Sequence, residues 1–244
     1  MLRPLPRPVV IGLPIVIGLS LMGSMAYALL VAQRELTMGE VQKIFYVHVP
    51  SAVACLLLFI GCALASLVYL LTRRNPAMNG LAAAFDRLAH GCAEVGVLFG
   101  VVVLITGPIW AKPAWNTWWS WEPRLTLLLL TVFLFLGYVI LRSYGRNDER
   151  GKALSAGIAL GSAPAVVIIH FAVQLWKDVN HPEVITGNGE GLQTGEMQLA
   201  LGLGFISICL LLAPYLVWMR VRHHRVADDI ESSWVELSDL EENP

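Results

Sequence analysis

Six apolar runs divide this sequence, at about residues 8–32, 45–71, 81–106, 125–141, 153–176 and 197–218. At a rise of about 1.5 Å per residue, runs of this length match a hydrocarbon layer ~30 Å thick. Inside lipid every backbone N–H and C=O needs a partner within the protein, so only helices and closed barrels can cross it. These runs lack the two-residue alternation of a barrel strand. They predict an all-α integral membrane protein, with six transmembrane helices in a single membrane domain over residues 1–220 and a charged tail over 221–244. A charged fraction of 14% and a mean hydropathy of +0.64 exclude a water-soluble domain. The net charge of -1 argues against a nucleic-acid partner, leaving the lipid bilayer as the bulk surroundings. Arg3, Arg7 and the triplet Ala26-Tyr27-Ala28 imitate a cleaved signal peptide, but the first run exceeds the usual apolar core of about 7 to 15 residues and reads as an uncleaved helix.

Lys and Arg are distributed unevenly. Twelve fall on the N-terminus, the second and fourth connections and the tail, against five on the other three connections (Arg34, Lys43, Lys112, Arg124 and Lys177). The positive-inside bias therefore predicts both termini in the cytoplasm. The opposite face, periplasmic in a bacterium, receives a short tryptophan-rich segment between helices three and four. The tail carries seven acidic residues after Arg225 and reads as a solvated cytoplasmic appendage, or as a short amphipathic helix docking through Trp234 and Leu237. Cys55, Cys62, Cys92 and Cys209 all lie in apolar runs without CxxC or CxxCH spacing, so they read as packing residues and covalent haem attachment is not expected.

The segment from Gly107 to Arg124 holds five of the eight tryptophans in 18 residues. An interfacial aromatic belt accounts for tryptophan at this depth. The near-helical recurrence of Trp115, Trp118, Trp119 and Trp121 further predicts a short surface helix that shows a broad aromatic face to something flat and apolar. Lys112, Asn116, Thr117, Ser120 and Arg124 would frame that face with donors for an anionic group.

His48 starts helix two on the same face. His170 lies roughly 25 Å along helix five at about 1.5 Å per residue, which brings it to a matching depth. A lone histidine in a span is commonly a satisfied packing residue; two at one depth beside tryptophans suggest a pair of imidazole ligands for iron. On the cytoplasmic half, His90, Glu94 and Asp86 share a face of helix three and read as a set that pairs internally, while His181, His223 and His224 read as solvated. Gly96, Gly100, Gly157, Gly161, Gly202 and Gly204 read as points of close helix approach.

The stretch Trp110-Ala-Lys-Pro-Ala-Trp-Asn-Thr-Trp-Trp-Ser-Trp-Glu-Pro-Arg-Leu-Thr126 resembles the tryptophan-rich signature, the WWD motif, of haem-handling membrane proteins of cytochrome c maturation. Tyr46-Val-His-Val-Pro-Ser-Ala52 and Ile168-Ile-His-Phe-Ala-Val-Gln-Leu-Trp176 resemble the flanking histidine motifs of the CcmC family, whose length and six-helix count also fit. The resemblance implies a bacterial inner-membrane, multi-pass subunit that binds haem b non-covalently on the periplasmic side. His48 and His170 would be the axial ligands, the segment from Trp110 to Arg124 the platform, with Trp115, Trp118, Trp119, Trp121 and Glu122 at the haem, and Lys43, Lys112 or Arg124 the carboxylate contacts. It implies delivery to the periplasmic haem chaperone CcmE, with CcmD and the ATPase-permease pair CcmA and CcmB as partners. Nothing in the chain resembles a nucleotide-binding loop, so the expected role is a haem-presenting subunit and not an enzyme. The alternative is a transporter subunit of an ABC-type complex moving haem or another apolar solute. Three positions depart from the family pattern, two of them adjacent: Glu122 replaces the usual Asp, keeping its charge, and Pro123 replaces a non-proline and suits the first turn of a helix. Lys43 stands where the family often has Arg.

Overall fold

The computed structural model describes residues 7–35, 38–144, 148–176, 192 and 194–242. Arg3, Arg146, Lys177 and His181, which entered the sequence reading, lie outside the described residues. The helices are α1 (Arg7–Leu30), α2 (Phe45–Thr72), α3 (Asn79–Trp115), α4 (Pro123–Tyr144), α5 (Glu149–Trp176), α6 (Gly195–Phe205) and α7 (Ala213–Glu242). A π-helical stretch, Ile206–Leu212, joins α6 to α7 in one continuous rod. Among the described residues, six helices are long and apolar enough to cross a membrane. The chain is thus an all-α, multi-pass membrane protein.

The antiparallel pair α2 and α3 forms the centre. Helix α5 packs on α2 and α4, α7 on α3, and α1 on α6. Helix α1 buries little of itself, and Ile11, Ile15, Leu19 and Met22 stay exposed, as apolar side chains facing lipid do. The core is filled by Phe59 and Phe135, stacked with centroids 3.9 Å apart, and by Cys55, Cys62 and Cys92, all free thiols used as small packing groups.

Close approach depends on three of the expected glycines. A Cβ at Gly96 would stand 2.7 Å from the Phe59 ring, and one at Gly100 the same distance from Val132. A Cβ at Gly204 would meet the backbone oxygen of Tyr46. Gly157, Gly161 and Gly202 have open space where a Cβ would go, so the small-residue spacing there does not mark a contact. Spacing alone does not say which face of a helix meets a neighbour.

One end of the bundle collects the charges. The buried Asp86 carboxylate accepts from Arg142 at 2.8 Å, joining α3 to α4. Glu149 accepts from Tyr69 at 3.1 Å, and Arg87 donates to Asp228 at 3.1 Å. Among Asp86, His90 and Glu94 the expected internal pairing is reduced to a His90–Glu94 contact of 3.7 Å, without a hydrogen bond. Each carboxylate reaches a cation on another helix, because a buried carboxylate is better compensated by a guanidinium than by a neutral imidazole. Glu94 is held by Arg220 and His224 of α7, so His224 is a packed interhelical residue and not a solvated one. The tail is helical as far as Glu242 and exposes Val226, Ile230 and Trp234; the Leu237 side chain lies outside the described residues.

Candidate functional site

At the opposite end, α2 begins after a 3-10 turn, Glu40–Ile44, which brings His48 into the first turns of the helix. Helix α3 extends nine residues past the predicted end at residue 106 and carries Trp110, Lys112 and Trp115. It stops where Asn116 takes a left-handed conformation (φ 57°), one of few residue types that tolerate it. Residues 117–122 are not helical, and Pro123 opens α4 as its first residue. The predicted short surface helix is therefore replaced by the end of α3 and an irregular strap. The near-helical spacing of tryptophans spans a helix end, so periodicity there was not a guide.

His48, Thr106, Gly107 and Trp110 meet between α2 and α3. The Thr106 hydroxyl donates its single proton to Val102 O at 2.7 Å. Towards His48 Nδ1, 2.8 Å away, it can then only accept. Nδ1 therefore carries the hydrogen and the lone pair resides on Nε2, the tautomer in which an imidazole can ligate through Nε2. The buried Trp110 ring packs 5.8 Å from both His48 and Phe45, which fixes the plane of the imidazole.

His48 forms part of the wall of a cleft of about 830 Å³, counted with its open mouth. Leu56, Val103, Leu128 and Ile169 make its apolar depth, while Trp118, Trp119, Ser120 and Arg124 stand around it. Trp118 is 60% exposed and Trp121 77%, whereas Trp119 is half-buried and meets the Trp121 ring edge-on at 6.0 Å. The indole Nε1 of Trp119 is buried with no hydrogen-bond partner among the described residues. Ser120 donates to Glu122 at 2.6 Å, tying the strap to the start of α4.

Other predicted positions fall elsewhere. Lys43 donates to Leu29 O at 2.7 Å and pairs with Glu40 at 2.9 Å, which ties α1 to the start of α2. Lys112 donates to the Asn116 backbone and side-chain oxygens at 3.1 and 2.9 Å, capping α3. Each lysine is used locally. His170 stands one position beyond the cleft residue Ile169, exposed, with its ring edge-on to Phe171 at 4.9 Å. The Trp115 side chain lies outside the described residues. Trp110 opens the expected platform segment but packs on His48 instead of facing outward, and Thr106 escaped the expected set of site residues: a threonine there looks like any polar residue in a span until its partner is known.

The donor set fits a haem in three respects: an oriented imidazole with its lone pair on Nε2, an apolar and aromatic cleft, and a buried indole N–H of a cleft residue, Trp119, that has no hydrogen-bond partner among the described residues.

The family profile described as "Heme exporter protein C" matches residues 5–236. The chain belongs to the CcmC family. Among CcmC relatives, a putative cytochrome c biosynthesis ccmC-like mitochondrial protein of Marchantia polymorpha is 31% identical over 187 residues, 77% of this chain and 75% of the relative. Heme exporter protein C of Haemophilus influenzae is 28% identical over 224 residues, 91% of this chain and 85% of the relative. That of Rhodobacter capsulatus is 32% identical over 143 residues, 59% of this chain and 56% of the relative. CcmC membership places the chain among the haem-exporter proteins of cytochrome c biogenesis, as a membrane subunit of a transporter-like assembly.

Proposed function

We propose that the chain binds haem b non-covalently at the tryptophan-bearing end of the bundle and presents it to the periplasmic chaperone CcmE, working in the bacterial inner membrane beside CcmA, CcmB and CcmD. The observation that carries this reading is the Thr106–His48 hydrogen bond, which leaves the Nε2 lone pair on a ring forming the wall of an apolar cleft. Haem, when bound, supplies an iron that accepts imidazole nitrogens and two propionate carboxylates. Within the chain, His48 would provide one nitrogen and His170, exposed beside Ile169, the second. Trp110 holds the His48 ring. Trp118, Trp119 and Trp121 shelter and expose the open edge, Trp119 Nε1 offers a donor, and Arg124 with Glu122 and Ser120 defines the polar rim. A path for solute across the bilayer would need polar groups along its length. The buried charges instead gather at the other end, where they pair with one another, which favours presentation at one surface over transport by this chain alone.

The test is the haem content and Soret absorbance of the purified protein. His48→Ala and His170→Ala should each lower occupancy by at least tenfold. Unchanged occupancy in both single variants refutes axial ligation.

A further inference from the structure

At the charged end, His90 and Glu94 project from one face of α3, four residues apart, and His224 meets them from α7. One ligand atom from each lies within 4.8 Å of the others. His90 is 6% exposed, and its Nε2 is buried without a hydrogen-bond partner among the described residues. That nitrogen stands 3.7 Å from Glu94 Oε1, too far for a hydrogen bond, while His224 Nε2 stands 2.8 Å from Oε2. The two imidazoles are stacked, 3.9 Å apart and 14° from parallel, with both Nε2 edges turned to the same carboxylate. Rings packed this way leave no room for a flat macrocycle between them. They leave room for an ion at their edges.

We propose that His90, Glu94 and His224 bind a divalent transition-metal ion of the zinc class. Two imidazole nitrogens and one carboxylate are a donor set for such ions, and the i, i+4 spacing on α3 is how a helix places two ligands on one side of an ion. Bond lengths of about 2.0 to 2.2 Å hold ligand atoms about 3 to 4 Å apart, so the three need to draw together by roughly an ångström. Arg220 currently satisfies Glu94 through Nε at 2.7 Å and through Nη2. Its side chain is 41% exposed and can withdraw to water, so the guanidinium and the ion compete for one carboxylate. Binding exchanges one cation for another and ties α3 to α7. The site lies at the end of the bundle away from His48, and the proposal does not depend on haem binding.

The full-length protein in detergent is equilibrated with Zn²⁺ alone and desalted, and zinc is counted by elemental mass spectrometry. About one ion per chain is expected. His90→Gln and His224→Ala should weaken binding at least tenfold, and Arg220→Gln should tighten it severalfold because it removes the competitor and no ligand. In parallel, Zn²⁺ should raise the unfolding temperature of the unmodified protein but not of His224→Ala. His48→Ala should retain the zinc. Substoichiometric zinc in the unmodified protein, full retention in both histidine variants, or loss of zinc in Arg220→Gln overturns the proposal.

Discussion

Asp86 is joined to Arg142, Glu94 to Arg220 and His224, and Glu149 to Tyr69, so the charged end uses its carboxylates to link helices, while among the described residues His90 Nε2, Arg73 Nε and the remaining Arg142 nitrogens, Nε and Nη1, stay buried without a hydrogen-bond partner. At the tryptophan end, the cleft side chains are oriented more than consumed: His48 is turned by Thr106, Trp119 keeps a buried donor unmatched among the described residues, and Trp118 and Trp121 stand open. The difference separates groups whose removal should damage the bundle from groups whose removal should damage binding. A polar residue in a span therefore says little about function until its partners are counted.

The contrast breaks most visibly at Asp86. Asp86→Ala leaves the Arg142 guanidinium buried and uncompensated, and should destabilise the protein by about 3 to 5 kcal/mol in a detergent unfolding titration. Replacing both by Leu should recover most of that loss. If the single variant unfolds like the unmodified protein, the charged end is not what holds the helices together.

Thr106→Val keeps the shape and removes the acceptor, freeing the His48 ring to rotate and change tautomer. Haem affinity should fall about 10- to 100-fold, with stability little changed, and Thr106→Ser should restore it. A loss of stability equal to the loss of affinity would make Thr106 another structural link.

The smallest effect is expected at Trp121, which is 77% exposed. Trp121→Ala should change stability by no more than about 0.5 kcal/mol and leave haem content intact while slowing transfer to CcmE, followed as loaded chaperone over time. A drop in haem content would move Trp121 from the presenting edge into the binding cleft.

The sequence made the spans legible because length and apolarity are enough to define them. His48 and the tryptophan cluster were legible because they are rare residues for their position. The end of α3 was not. The apolar run stops at residue 106, yet the helix continues through Pro108 and Pro113 and breaks only at Asn116, where the backbone turns left-handed. Thr106, Arg220 and His224 were illegible for a second reason: their roles exist only as pairs across helices 58, 126 and 130 residues apart in sequence, which no local pattern encodes. Lys43 and Lys112 had the right charge and depth, but nearby carbonyl oxygens claimed them first.

The last span meets three different helices along its length. Upstream of the π-helical stretch it presents Gly204 to α2, within it Ser207 bonds Ser20 of α1, and downstream it delivers Arg220 and His224 to α3. The wide turn resets the azimuth of the rod, since one surplus residue rotates everything below it by about 100° relative to a uniform α-helix. Trimming one residue from Ile206–Leu212 would leave the upper contacts in phase and swing the two basic side chains off Glu94, uncoupling the halves of the molecule without touching either.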